Sequence, residues 1–324
     1  MAGGMNESLD PAANAVPIEH VLRDELAHGD AMVGTIGPIL RHLLANEDHS
    51  VFGDEIIARV RGMLAHVAAQ LLDAVVTAQG SSERAEHDPD RITELSDSFV
   101  GHSGFLAHVH GLALEWQLTE RLHGRLGLDP VLSPLLQALI ASTEPATAGK
   151  AMALLAAQAK FAQSQRRMQL PLAELPGDLL HAGLLVLRNL DGLAGEAELD
   201  ATERVLRANH DESRSRLGLI ARLVTGMGGG ASAALSISHA GTAMFLSALA
   251  LASGQDRDLA ILATNEGQLA RFALAMRAAG LRTPAIAEQF ASLHPSVDLP
   301  EGFDTLGADH AAAMLARSVA QPGA

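Results

Sequence analysis

The chain contains no cysteine and no tyrosine. The first absence removes disulfides, thiolate nucleophiles, cysteine-bound zinc and iron–sulfur clusters together. The second leaves eight Phe and Trp116 as the only aromatic residues. That is too few for the aromatic and β-branched surfaces of a β-sandwich or barrel, or for a base-stacking platform on single-stranded nucleic acid. Positive charge is scarce as well. Against 38 Asp and Glu stand 23 Lys and Arg, a formal charge of −15, which repels a phosphate backbone. Lysine occurs only at Lys150 and Lys160, a bias that GC-rich coding accounts for better than a demand for guanidinium pairing. The opening residues, Met1 to Ser8, carry neither a basic nor an apolar region. They therefore do not form a secretory signal, and 1–16 reads as a disordered lead-in.

Charge of either sign is missing from Leu223 to Gln255, long enough for a membrane span of about 20 residues. Four glycines (Gly226, Gly228, Gly229 and Gly230) interrupt its start, and Ser236, Ser238, His239 and Thr242 dilute its middle. A pair of buried helices is the expectation, in a soluble, cytoplasmic protein.

What the chain does have is helical periodicity. It is 324 residues long and 48% hydrophobic, enough for a sizeable core and more than one domain. The clearest stripe runs through 53–79, where Ile56, Val60, Met63, Leu64, Val67, Leu71, Leu72 and Val75 share one face. Similar stripes cover 17–28, 36–46, 103–127, 130–142, 147–169, 177–190, 199–224, 240–253, 256–280 and 284–293, broken by ordinary Gly, Pro, Ser and Asp punctuation. An all-α, multi-helix bundle is predicted. An offset of 96 residues also aligns Pro38–Ala45 with Pro134–Ala141, Glu19, Leu22 and Leu26 with Glu115, Leu118 and Leu122, and Gly53 with Gly149. These are eight identities over 18–53, where about three are expected from composition. The reading is a helical module of roughly 90 residues used twice, with repeat-like stacking: 17–95, then 96–192, with 80–95 as a polar connector, followed by a C-terminal helical domain at 193–324.

Several groups carry chemistry on paper. Glu25/His28 and Glu120/His123 have the Glu-x-x-His spacing of di-iron carboxylate bundles, but about one such pair is expected by chance and the two are out of register in the repeat. His102, His108 and His110 form the densest histidine group. On a helix His102 and His108 flank the Phe105/Val109/Leu112/Trp116 stripe while His110 points away from it, so one metal cannot collect all three. The glycine run 226–230 has the letters of a dinucleotide fingerprint without the strand it needs, and reads as a joint with Gly226 as helix cap. An anion at the following helix N-terminus is the alternative. His210-Asp211-Glu212-Ser213-Arg214 is faintly similar to a phosphoacceptor box.

The stretch from Arg166 to Ala182 (Arg-Arg-Met-Gln-Leu-Pro-Leu-Ala-Glu-Leu-Pro-Gly-Asp-Leu-Leu-His-Ala) resembles a recurring segment of an uncharacterised bacterial family of helical proteins, a domain of unknown function. The stretch from Ala243-Met244-Phe245 to Ala279-Gly280-Leu281 is similar to that domain's end. The resemblance spans about 150–280, implies an all-helical, repeat-like fold, and carries over no catalytic residue or cofactor.

No catalytic set, metal or cofactor is expected from these residues. The favoured function is a non-enzymatic scaffold or regulator that binds another protein, with Gln163, Gln165, Arg166 and Arg167 as its contact surface, no nucleic acid or membrane partner, and self-association through surplus apolar faces. Two alternatives are a bundle holding a small ligand or metal near His28, His123 or the glycine loop, as enzyme or sensor, and histidine phosphotransfer at His210.

Overall fold

A computed structural model describes residues 17–45, 54–80, 89–190 and 192–318, and within them the helical period resolves into fourteen α-helices and no strand. In chain order these are α1 (Ile18–Ala45), α2 (Asp54–Ala78), α3 (Pro89–Gly101), α4 (Ser103–Leu126), α5 (Pro134–Ile140), α6 (Pro145–Arg166), α7 (Gly177–Arg188), α8 (Glu196–Asn209), α9 (Arg216–Gly226), α10 (Ile237–Ser253), α11 (Arg257–Leu262), α12 (Leu269–Ala278), α13 (Thr283–Leu293) and α14 (Ala308–Ala316).

Two apolar cores share α4. The Phe105/Val109/Leu112/Trp116 face of its first half enters a core with Val60, Met63, Leu64, Val67 and Leu71 of α2, Leu95 and Phe99 of α3, and Leu180 and Leu184 of α7. Phe99 stacks on Phe105 with ring centres 4.6 Å apart, and Trp116 meets Phe161 of α6 edge to face. Leu118 and Leu122 of the second half enter the other core, whose centre is α10 surrounded by α9, α12, α13 and α14. Each fully buried Leu, Val or Phe contributes about 1.5–3 kcal/mol, so both halves of α4 are held firmly. α1 straddles the two cores in the same way, with Leu22 and Leu26 in the second and Leu40 in the first.

The charge-free run at 223–255 is explained by this centre. Ile237 and the residues from Ala240 to Ala250 are buried inside the protein, and a bend of 109° separates α10 from the 3-10 turn Gly228–Leu235 before it. Among the described residues no single helix is long and apolar enough to cross a membrane.

Five expectations need correction. The stripes at 17–28 and 36–46 are one helix, with Pro38 inside it. The connector at 80–95 contains the first half of α3, whose Leu95 is buried. The 199–224 stripe is two helices, because Asp211 caps a 3-10 turn and Ser215 then caps α9, accepting from the Gly218 amide at 3.1 Å. Residues 256–280 likewise divide into α11 and α12. Gly226 is the last residue of α9 and the left-handed residue is Gly228, with φ 51°.

The structure does not confirm a duplicated module. Pro38 lies within a 28-residue helix, whereas its match Pro134 opens the seven-residue α5. Glu19 is near the surface beside His310, whereas its match Glu115 is fully buried. Gly53 lies outside the described residues, and its match Gly149 falls in the second turn of α6.

Candidate functional site

An open cavity of about 830 Å³ lies between α1, the first half of α4 and α11. Small side chains create it. Ala27, Ala31 and Gly34 recur on one face of α1, and Ser103, Ala107 and Gly111 recur on one face of α4. Where these faces meet the space there is no side chain to fill it, while larger residues on the other faces hold the same helices in the cores. Val33, Ile36, Leu40, Leu106, Leu217, Leu259 and Leu262 give the rest of the wall its aliphatic character.

The polar groups gather on the α4 and α11 side. His108, Gly111 and Glu115 lie on one stripe of α4 that faces α11. Gly111 leaves room for Asp258: a Cβ at this position would come within 2.8 Å of Asp258 Oδ1. Asp258 therefore lies against the backbone of α4. It lines the cavity, yet its carboxylate makes no hydrogen bond or ion pair within the described residues. Burial pushes its pKa up to about 6 despite the neighbouring Arg257. His108 is 6% exposed, lines the same cavity, and keeps its Nε2 buried without a hydrogen-bond partner. Burial, reinforced by Arg257 and Arg216, lowers its pKa to about 4, and burial alone does the same for His110. Both imidazoles are neutral at pH 7.

Behind this wall sits a buried ion cluster. Arg216 Nη1 and Nη2 donate to Glu115 Oε1 and Oε2 at 2.6 and 3.0 Å, and Arg257 Nη2 approaches Oε2 at 2.9 Å. The Arg216 guanidinium also lies 3.6 Å from the centre of the Phe161 ring, and Arg257 Nε donates to Ser247 Oγ at 2.9 Å. Burial would raise the Glu115 pKa, but the two guanidinium groups outweigh it and hold the carboxyl at about 2. The bidentate Arg216–Glu115 pair holds Glu115, and the contacts of Arg257 to Glu115 and Ser247 in turn hold Arg257, and with it the adjacent Asp258, against α4.

The α1 wall is anchored separately. Gln268 Nε2 donates to the Gly29 carbonyl at 2.6 Å, and Asp30 is bound by Arg271 and by Ser318 Oγ.

The residues singled out from sequence are placed as follows. Gln163, Arg166 and Arg167 are exposed, but Gln165 is completely buried, its side chain donating to Met63 Sδ and its carbonyl accepting from Arg59. The side chain points inward because Gln165 continues the buried stripe of α6 made by Leu154, Gln158 and Phe161. Glu25, His28, Glu120 and His123 are all exposed, and among the described residues no group of three His, Asp or Glu is arranged to hold a metal ion. His102 caps α4, accepting from the Phe105 amide at 3.3 Å. His110 does point away from the core stripe, as the periodicity requires, but into the cavity. His210 ends α8 with its Nε2 buried, not on an open helix face. The glycines at 228–230 are exposed and open a 3-10 turn instead of an α-helix.

Asp258, Arg257, Glu115 and Arg216 were not singled out from sequence. A signal for Glu115 existed: a carboxylate in register with Leu112, Leu118 and Leu122 on an apolar stripe must be buried, and must find a cation.

Comparison with protein-family models, curated proteins and solved structures finds no match to this chain. Any functional reading therefore stands on the geometry of the chain itself.

Proposed function

We propose that this protein binds a small molecule between α1, α4 and α11, the ligand-holding form of the helical bundle. One observation carries this reading: a cavity of about 830 Å³ with an aliphatic wall, the buried and unpartnered Nε2 of His108, and on the same side the half-buried Asp258 carboxylate, unpaired among the described residues. Ligand sites have this build, a pocket of roughly 300–1,000 Å³, mostly apolar, with a few polar groups that set orientation. Buried polar groups are normally paired; one left unpaired beside open space is explained if a ligand completes it.

The reading locates the ligand away from His28, His123 and the glycine run. Binding of a protein partner receives less support, since Gln165 is unavailable and the exposed remainder is three scattered polar side chains. The test is ligand binding by the purified protein and by a variant with the cavity blocked, Ala107→Trp. Saturable thermal stabilisation by members of a small-molecule library, lost in the variant, is the expected result. A library that stabilises both proteins equally, or neither, refutes the reading.

A further inference from the structure

We infer that the ligand is an aliphatic amine, whose ammonium group is received by Asp258 beside His108 at the α4–α11 side of the cavity. The inference rests on the ligand-binding reading above and adds the chemical class.

Its basis is which charges are already satisfied. Arg216 is spent on Glu115 through both terminal nitrogens. Arg257 lines the cavity, but its Nε is bound to Ser247 and its Nη2 to Glu115. Asp30, on the opposite wall, is held by Arg271 and Ser318. Asp258 differs from all of these: it lines the cavity and its carboxylate has no hydrogen-bond or ion-pair partner among the described residues. Its place in the first turn of α11 supplies some favourable helix-dipole interaction, yet acceptance of a hydrogen bond is still missing. An ammonium group brings three donors and a full positive charge. A neutral imidazole, having one ring nitrogen without a proton, accepts one of those donors, and His108, whose Nε2 has no hydrogen-bond partner, lines the same side of the cavity. An anionic ligand would instead lie against the Asp258 carboxylate at that end.

The body of the ligand follows from the rest of the wall. Leu106, Leu217, Leu259 and Leu262 offer methyl groups and no aromatic face, which suits an alkyl chain or saturated ring over a stacked planar system. The net charge of −15 further favours the approach of a cation.

The experiment compares three probes with one chain length: n-octylamine, octanol and octanoate, titrated calorimetrically into the full-length protein at neutral pH, with amide chemical-shift mapping to locate them. A hydrogen-bonded charge pair predicts that the amine binds about tenfold to a hundredfold tighter than the alcohol. Asp258→Asn should bring the amine down to the level of the alcohol, and the isosteric amide keeps the local shape. Asp258→Ser, which shares no shape with Asp, serves as a second variant and should do the same. Shifts should cluster on α4 and α11. If octanol binds as tightly as octylamine, or the Asp258 variants retain the preference, the amine inference is overturned while the pocket stands. If octanoate binds tightest, Arg41, which also lines the cavity from α1, sets the head group and the inference is likewise overturned. If no probe of any charge gives saturable binding at the cavity, the ligand-binding reading itself falls.

Discussion

At the scale of single residues, the strongest statements concern buried charge. Glu115 is held by two guanidinium groups, and removing it would leave Arg216, 1% exposed, without a counter-charge. Breaking a buried pair from one side typically destabilises by 3–5 kcal/mol. Glu115→Ala should therefore lower unfolding free energy by about that much, read as a shift in urea midpoint at unchanged slope. The histidines make an opposite, pH-linked contribution. His108 and His110 have pKa values lowered from 6.5 to about 4, so between these limits the unfolded chain binds protons that the folded chain refuses. Stability then rises with pH across the window and is lost on acidification toward pH 4. Asp258 acts in the reverse sense: its pKa is raised from 3.8 to about 6, so the folded chain holds the extra proton and stability falls as pH rises through that range. His108→Gln should flatten the rise between about pH 4 and 6.5, by up to on the order of 3 kcal/mol, whereas Asp258→Asn should steepen it. Chemical denaturation at pH values spanning the window separates the two. A profile that neither variant changes would contradict the burial of both groups.

At the scale of elements, α1 shows what periodicity can and cannot reveal. Gly34, Gly37 and Pro38 mark a helix break by their intrinsic preferences, since each glycine weakens a helix by about 1 kcal/mol and an interior proline by about 3. The helix nevertheless runs unbroken from Ile18 to Ala45. Tertiary contacts override the local signal: Leu22 and Leu26 are fixed in one core, Leu40 in the other, and Gly29 and Asp30 are tied to α12 and the turn before it. The partners in those ties, Gln268 and Arg271, are some 240 residues away in the chain, so no local pattern announces them. The reverse error occurs at 199–224, where a continuous apolar stripe hid the break; Asp211 and Ser215 were visible capping residues outvoted by periodicity. The α1 ties lead to a prediction. Arg271→Leu should remove the ion pair to Asp30, leaving it the Ser318 hydrogen bond, and loosen the middle of α1 while leaving α4 and α10 in their cores. Native-state hydrogen exchange should then show faster exchange for 29–38 with protection in α10 retained. Equal loss of protection in both would mean that Arg271 supports the whole fold rather than α1.

At the scale of the whole molecule, the helical class and most helices were legible because burying an apolar stripe demands a 3.6-residue period. The cavity was not legible, because it is made by what two helices lack where they face each other. Ala27, Ala31 and Gly34 read as unremarkable small residues until Ser103, Ala107 and Gly111 are found across the space from them, and the pairing of α1 with α4 depends on both helices straddling the same two cores. Small faces ordinarily let helices close together. Here the bulky anchors on either side, Leu22, Leu26 and Leu40 on α1 and Phe105, Leu112, Trp116 and Leu118 on α4, hold the helices in place and prevent collapse. Ala107 is exposed to this space, so Ala107→Leu adds apolar surface without displacing a buried neighbour. Partial burial of the new leucine against the aliphatic wall should stabilise the unliganded protein by about 0.5–2 kcal/mol. The same substitution takes up volume that a ligand would use and should weaken binding of octylamine. Stabilisation of the free protein together with loss of ligand affinity is the signature of a pocket kept open at the expense of stability. Destabilisation by Ala107→Leu, measured by urea unfolding without ligand, would show instead that α1 and α4 lie closer together than the cavity requires.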